Sequence, residues 1–502
     1  MLTLRAQALS GVLLSSILLL AGCGEERIEP SGHNVLLIAV DTLRADHLGV
    51  YGYQRATSPN LDDLASEGLV FESVQAPRAK TTPSVATLLT GLYPHDHGVR
   101  DLTQELAAEV ATLPESLAAA GYRTAAIIGN FVLQRRLSGL DRGFTTWIEE
   151  LPDRQGVPPD DVPERRAGSL TDGALELLES ELLGSDEPWF LYLHYMDPHG
   201  LYEPPAEHDR FLAGEPRYIE EPRPGEGRLR VASYNVPADA WSAGRIDAAR
   251  VIDRYDGEIA HVDAQLGRLL DELRGRGVLE DTWVIVTADH GESLGEHDYW
   301  FEHGLYAYQA TCHVPLIVHP PLSLEGRGAG ERRTSVLSLA DVAPTLAAWL
   351  GIPFTPSAGR EVPGDTLTGR ASPELLLREL ARPRAAFGEK VESASVEGAV
   401  RTKTVRLGRL KLVQRFVPGA QGTRIEEELY DVLADPAEAR NLLEEEDSHD
   451  ALVLEAMRAE LEAFLGLDDG FEELAQTLAR RRAELESRDP AAARSLEALG
   501  YR

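Results

Sequence analysis

Val35-Leu36-Leu37-Ile38-Ala39-Val40-Asp41 is an unbroken apolar run closed by a carboxylate. A half-exposed strand alternates apolar and polar side chains. A strand apolar at every position is buried on both faces, as in a parallel sheet held between helices. Thr124 to Ile128, Trp189-Phe190-Leu191-Tyr192-Leu193-His194-Tyr195 and Thr282-Trp283-Val284-Ile285-Val286-Thr287 read as further strands. Helices fall between and after them. One is opened by Ser58-Pro59-Asn60-Leu61 and closed by Gly68, and another runs from Leu113-Pro114 to Gly121. Others are expected over Thr171 to Leu183, Ile252 to Arg276 and Val336 to Leu350. This alternation predicts an α/β fold: a mostly parallel sheet with helices on both faces. From about Ser393 the pattern changes to a smaller C-terminal α+β part. Val400 to Arg406 and Leu410 to Val413 read there as antiparallel, half-exposed strands, and an acidic helical region, Pro436 to Ser487, follows.

Open α/β sheets keep their ligands at the carboxyl ends of the strands. Those ends carry Asp41, Asp197 with His199, and Asp289 with His290; Asn130 follows Gly129 at another. Carboxylates and imidazoles suit Zn²⁺ or Mn²⁺, and oxygen-rich sites suit Ca²⁺. A hydroxyl comes from Lys80-Thr81-Thr82-Pro83-Ser84-Val85-Ala86-Thr87-Leu88-Leu89-Thr90-Gly91, a loop turning into a helix. Thr82 is the expected N-cap, Pro83 the first helical residue and Gly91 the stop. Thr81 then sits just before the helix N-terminus, where the dipole and free N–H groups favour an anion. A hydroxyl there becomes a nucleophile once a metal or base removes its proton. Taken alone the stretch is a capping motif; in company with the strand-end groups it is a candidate active site.

The chain has 502 residues, enough for a large core, and a formal net charge of -33. That charge argues against nucleic acid as a partner and against unaided binding to an anionic bilayer. The apolar run Gly11 to Leu20, preceded by Arg5, is too short to span a membrane and reads as a secretory signal peptide. Leu20-Ala21-Gly22-Cys23 resembles the bacterial lipobox, which makes Cys23 the expected lipidation site and the anchor the only link to a membrane. The expected location is the bacterial envelope, at the outer membrane facing the periplasm or exterior. Cys312 is the other cysteine, so no internal disulfide is expected, and its setting is that of a small buried residue.

Val40-Asp41-Thr42-Leu43-Arg44-Ala45-Asp46-His47-Leu48-Gly49-Val50-Tyr51-Gly52 resembles the opening motif of the sulfatase family, within the alkaline phosphatase superfamily. Ser58-Pro59-Asn60-Leu61-Asp62, Leu89-Thr90-Gly91-Leu92-Tyr93-Pro94, Asp197-Pro198-His199, Tyr255-Asp256-Gly257-Glu258-Ile259, Ala288-Asp289-His290-Gly291-Glu292 and Val314-Pro315-Leu316-Ile317 continue it in order. Glu428-Leu429-Tyr430-Asp431, Asp435-Pro436-Ala437-Glu438 and Asn441-Leu442 resemble its C-terminal signature. The resemblance implies one divalent metal ion (Ca, Mn or Zn) held by Asp41, Asp289, His290 and the Thr81 side chain. It also implies His199 and His303 as catalytic groups at the ester or its leaving oxygen. Asn130 is a candidate donor to a non-bridging oxygen, and Arg44 a candidate anion ligand or a structural salt bridge. Asp197, His199 and His303 are candidates for a second metal site, with one metal the preferred reading.

The departures from the family are informative. Sulfatases with C-x-P-S-R or S-x-P-S-R oxidise the Cys or Ser to formylglycine. Here Thr81 holds that position, Val85 holds the Arg position, and Thr42 replaces the second of the paired aspartates. Threonine yields no aldehyde, so formylglycine is not expected. An unmodified Thr nucleophile resembles the phosphodiesterase and phosphotransferase branches of the superfamily. The expected function is a metal-dependent hydrolase, or a transferase, acting on a sulfated or phosphorylated small molecule, glycan or lipid head group. The alternative is an inactive sulfatase-fold binding protein at the envelope. The expected organisation is a signal peptide (1–23), a linker (24–33), a catalytic domain (34–390) with a surface excursion at 201–248, an antiparallel-sheet subdomain (391–443) and an acidic helical tail (444–502).

Overall fold

The computed structural model describes residues 31–102, 104–151, 164–212, 215–220, 230–324, 330–354, 385–391, 401–417, 423–445 and 451–465, with 487, 488 and 490. Cys23 and the linker up to residue 30 lie outside these residues.

Nine strands form one sheet: β1 (Asn34–Val40), β2 (Leu69–Gln75), β3 (Arg123–Ile128), β4 (Thr146–Ile148), β5 (Trp189–Tyr195), β6 (Thr282–Ala288), β7 (His313–Val314), β8 (Leu316–His319) and β9 (Glu331–Ser338). Their order is β7-β2-β8-β6-β1-β5-β3-β4, with β9 alongside β2. The strands from β6 to β4 run parallel. β8 runs antiparallel between β6 and β2. All of β5 and β6, and β1 from Val35 onward, are buried. Successive side chains point to opposite faces, so helices must cover both.

The helices that matter for the site are α1 (Pro59–Glu67), α2 (Thr81–Thr90), α3 (Leu113–Ala119), α4 (Ala167–Leu177), α5 (Ala248–Gly275) and α6 (Val342–Trp349). α4, α5 and α6 start at residues other than those expected. α5 opens at Ala248 behind the Asp247 cap, ahead of Ile252. α4 begins ahead of Thr171, because the small residues Ala167 and Gly168 allow the turn to start at Arg166. Val336 to Ser338 finishes β9 rather than opening a helix; its apolar residues pair with β2, and α6 starts at Val342 after a short 3₁₀ turn.

The C-terminal sheet is an antiparallel meander of β10 (Ala385–Val391), β11 (Arg401–Leu407), β12 (Leu410–Val417) and β13 (Arg424–Asp431). It begins ahead of the boundary expected at 391. β11 is buried over Thr402 to Arg406 instead of half-exposed, because a helix, α7 (Ala451–Leu465), sets Met457, Leu461 and Phe464 against the sheet core around Val405 and Leu412. Of the acidic helical region expected over Pro436 to Ser487, the described residues contain α7, while Pro436 to Glu445 is turn and 3₁₀ structure. β10 also grips the main domain. The Glu389 amide donates to Pro77 O at 2.8 Å, and its buried carboxylate pairs with Arg100 and Lys403.

The 201–248 excursion is tied down at both ends. Tyr202 is buried, Tyr218–Glu220, Trp241–Ser242 and Arg245–Asp247 form a small antiparallel sheet, and Arg230–Val231 pairs with Tyr299–Glu302. Buried Asn235 donates from Nδ2 to Phe301 O at 2.8 Å.

Candidate active site

β1 lies between β5 and β6 in register, with Val40 opposite both Tyr195 and Ala288. The next residues therefore leave the sheet at one level, and Asp41, the Asp197–His199 turn and Asp289-His290 meet there by construction. Thr42 follows with φ +56°, a conformation that β-branched side chains rarely adopt. The neighbouring groups hold it: its N–H points to Asp289 Oδ1 at 3.4 Å, and its carbonyl accepts from the Tyr255 hydroxyl at 2.7 Å.

α2 brings the hydroxyl. Its N-cap is Lys80 rather than Thr82, so Thr81 is the first helical residue and Pro83 the third. Proline is tolerated there because the first-turn N–H groups have no helical acceptor in any case. Gly91 ends the helix with φ +69°, as the sequence suggested. Thr81 Oγ1 is buried 3.5 Å from both Asp41 Oδ2 and His290 Nε2.

Asp41, Asp289 and His290 form a group whose donor atoms lie within 4.8 Å of one another, all buried. Asp41 Oδ1 and Asp289 Oδ2 have no hydrogen-bond partner. Burial, with Asp289 next, pushes the Asp41 carboxyl up from its ordinary value. His290 Nδ1 donates to Gly291 O at 3.0 Å, which leaves the Nε2 lone pair facing the carboxylates. Two orphaned carboxylate oxygens and an imidazole lone pair turned inward fit a divalent cation, and the Thr81 hydroxyl borders the same space.

His303 and His199 stand over this group, their ring centroids 5.0 Å apart, with His303 4.3 Å from the His290 ring. His199 Nδ1 donates to Gly200 O at 2.9 Å, and His303 Nδ1 lies 3.2 Å from Glu292 Oε1. Burial, helped by His290 and His199, holds the His303 imidazole well below its usual value. Glu292 also accepts from the Tyr202 hydroxyl at 3.0 Å, and burial pushes its carboxyl up to about 7.

Three expected roles take a different form. Asn130 Nδ2 donates one N–H to Asp41 Oδ2 at 2.7 Å, so the amide also serves the candidate cation site. Arg44 is buried and paired with Asp46 and Glu296, with a further bond to Glu292 O, which makes it the structural salt bridge of the two readings. Asp197 does not join His199 and His303 as a second metal site: its oxygens take Arg166 at 2.9 Å and the Ala167 N–H at 2.8 Å.

Sequence reasoning missed three groups. His194 sits within β5, buried, with Nε2 3.7 Å from Asp289 Oδ2; an inward histidine in an otherwise apolar and aromatic strand was its only signal. Glu292 lies inside a quoted motif but had no role. Lys80 occupies the N-cap position of α2 and pairs with Asp101 at 2.8 Å beside Thr81.

A hydroxyl at a helix N-terminus, buried carboxylates and facing imidazoles on an α/β frame define an ester hydrolase. Residues 33–352 match the sulfatase family model, and the chain belongs to the sulfatase family. It is 26% identical to the N-acetylglucosamine-6-O-sulfatase of Bacteroides thetaiotaomicron over 84% of this chain and 85% of that one. It is 29% identical to the multifunctional alkaline phosphatase superfamily protein PehA of Trinickia caryophylli, over 63% of this chain and 74% of that one. Among solved structures, the phosphonate monoester hydrolase of Agrobacterium radiobacter shares the fold, with a TM-score of 0.60, 24% identity and coverage of 87% and 95%.

Proposed function

We propose that this protein is a metal-dependent hydrolase of sulfate or phosphate esters in which Thr81 is the nucleophile, with phosphodiesterase or phosphotransferase chemistry favoured. The observation that carries the reading is the placement of Thr81 Oγ1 at 3.5 Å from Asp41 Oδ2 and from His290 Nε2, at the start of a ten-residue helix. Asp41, Asp289 and His290 would hold the ion, with the Thr81 hydroxyl beside it; Ca²⁺, Mn²⁺ and Zn²⁺ are the candidates. When bound, such an ion lowers the pKa of a hydroxyl and offsets negative charge on the ester oxygens.

Asp41 Oδ2 accepts the Thr81 proton as Oγ1 attacks phosphorus, and the bond from phosphorus to the leaving oxygen breaks. That oxygen takes a proton from His199 or His303, the candidate general acids. Water then attacks phosphorus and gives its proton to the histidine that lost one, the bond to Thr81 Oγ1 breaks, and the Thr81 oxygen takes its proton back from Asp41. An alcohol in place of water gives transfer. Threonine has no second hydroxyl on Cβ, so the covalent ester cannot collapse to a carbonyl and must be opened at the heteroatom. This favours phosphorus over sulfur.

The charge balance supports a monoanionic ester. Lys80 is engaged by Asp101, Arg44 by Asp46 and Glu296, and buried Val85 stands where the resembled motif has Arg. A phosphodiester and a sulfate monoester carry one negative charge; a phosphate monoester carries two at alkaline pH. The relatives' names add sulfated sugars to the candidate substrates, beside other small molecules and lipid head groups. Export, lipidation of Cys23 and retention at the outer membrane complete the proposal. Among the described residues no helix is long and apolar enough to cross a membrane.

The test uses protein lacking residues 1–23, with an aryl phosphodiester, an aryl phosphate and an aryl sulfate, each with Mn²⁺, Zn²⁺ or Ca²⁺. Metal-dependent turnover, greatest on the diester and lost in Thr81→Ala, is the expected result. Equal turnover in Thr81→Ala removes the threonine mechanism. No turnover on any ester, with intact Mn²⁺ binding, favours an inactive binding protein.

A further inference from the structure

His194 is the penultimate residue of β5, and none of its surface is exposed. Both ring nitrogens lack a hydrogen-bond partner. An imidazole always carries at least one N–H and, when neutral, one lone pair, so such a burial is costly unless something on the site side completes it. Its Nε2 lies 3.7 Å from Asp289 Oδ2, and that oxygen is itself unpartnered. The other Asp289 oxygen is already used: Oδ1 accepts the His290 N–H at 2.8 Å and faces the Thr42 N–H at 3.4 Å.

We infer that His194 is a positioning residue for the cation site, its Nε2–H directed to Asp289 Oδ2 so that the carboxylate is fixed from behind while its remaining lone pair serves the ion. It is not a ligand. The donors that could share one ion are Asp41, Asp289 and His290, and His194 is not among them. The strand explains the arrangement. β5 is hydrogen-bonded to β1 with His194 opposite Ala39, so the ring rises from the sheet beneath the strand ends that carry Asp41 and Asp289. A histidine in that place acts on one rotation only, that of the Asp289 carboxylate about its Cβ–Cγ bond. Partners of this kind commonly change metal affinity by about 10- to 100-fold when removed.

The inference rests on Asp41, Asp289 and His290 being the cation site, and Asp289→Ala measured in parallel separates the two failures. Mn²⁺ binding to protein lacking residues 1–23 is measured by titration calorimetry, with the thermal midpoint of each variant in EDTA. Expected is a loss of about tenfold or more in Mn²⁺ affinity for His194→Phe, no fall in its midpoint in EDTA, and recovery of most of the affinity in His194→Gln, which keeps an N–H donor. Wild-type affinity in His194→Phe overturns the positioning role. So does an affinity that falls together with the EDTA midpoint, equally in the Phe and Gln variants, since that is a packing effect. Unchanged affinity in Asp289→Ala instead places the failure in the site. Should His194→Phe not fold, a crystal structure of Mn²⁺-loaded wild-type protein decides. Nε2 and Asp289 Oδ2 within about 3.2 Å is expected, and a separation as wide as 3.7 Å with the ion present overturns the inference.

Discussion

Asn130→Ala is the perturbation that best separates a residue serving the cation site from one serving the substrate. Asn130 Nδ2 donates to Asp41 Oδ2 at 2.7 Å, and both groups are buried. A hydrogen bond to a charged group contributes about 1.5–3 kcal/mol. With about 1.4 kcal/mol per tenfold, its loss weakens Mn²⁺ binding by roughly 10- to 150-fold if the amide holds the carboxylate for the ion. A second effect adds to the first. Burial and the Asp289 charge already raise the proton affinity of Asp41, and the Asn130 bond opposes them. Without it Asp41 holds its proton more tightly, so the ion must displace more proton, and the variant's deficit shrinks as pH rises from 6 to 9. The assay is Mn²⁺ titration at several pH values, followed by kinetics on the aryl phosphodiester at saturating Mn²⁺, where KM stays close to wild type. Mn²⁺ affinity within twofold of wild type at every pH, together with a KM raised tenfold or more, would refute the reasoning and restore Asn130 to the substrate.

Arg44→Met breaks a buried cluster without touching the ester. The loss is below the about 3–5 kcal/mol of a fully buried pair, because Asp46 is half exposed, and it registers in the urea midpoint with KM unchanged. Glu302 carries a carboxyl pushed up mainly by burial, from 4.5 to about 8. The folded protein therefore holds a proton that the unfolded chain releases above pH 4.5, so this contribution is full below 4.5 and lost by about 8. In EDTA, Glu302→Gln flattens the fall of the urea midpoint between pH 5 and 8; an unchanged slope contradicts it. Cys312 is buried, and burial pushes its thiol up, so protein lacking residues 1–23 does not react with Ellman's reagent until denaturant is added.

Much of this molecule was written locally. β1, β5 and β6 announce themselves because strands buried on both faces need apolar or aromatic residues at nearly every position, and their register then delivers Asp41, Asp197 and Asp289 to one level. Gly91 ends its helix in the left-handed conformation that glycine allows, and Gly68 ends α1 where a Cβ would meet the Val318 carbonyl. β9 was illegible because Val336-Leu337 adjoins a genuine helix and only pairing with β2 makes it a strand. The burial of β11 depends on α7, which arrives far along the chain. At the site, donor types were readable but their partners were not. Nothing in the order of residues says that Asn130 faces Asp41, that Asp197 is taken by Arg166, or that His194 stands behind Asp289; those are facts of three-dimensional adjacency.

The grip of β10 on the loop before α2 bears on the order in which the protein is made. A ribosome that has released residues up to 354 has already supplied Asp41, Thr81, His199, Asp289, His290 and His303, yet not Glu389, whose amide holds Pro77 O and whose carboxylate pairs with Arg100. The hydroxyl's approach to the site is thus braced by a residue synthesised after every group of the site itself. A chain cut short after the main sheet carries the site's side chains without this buttress, so the bracing of the loop before α2 waits for β10 to be made.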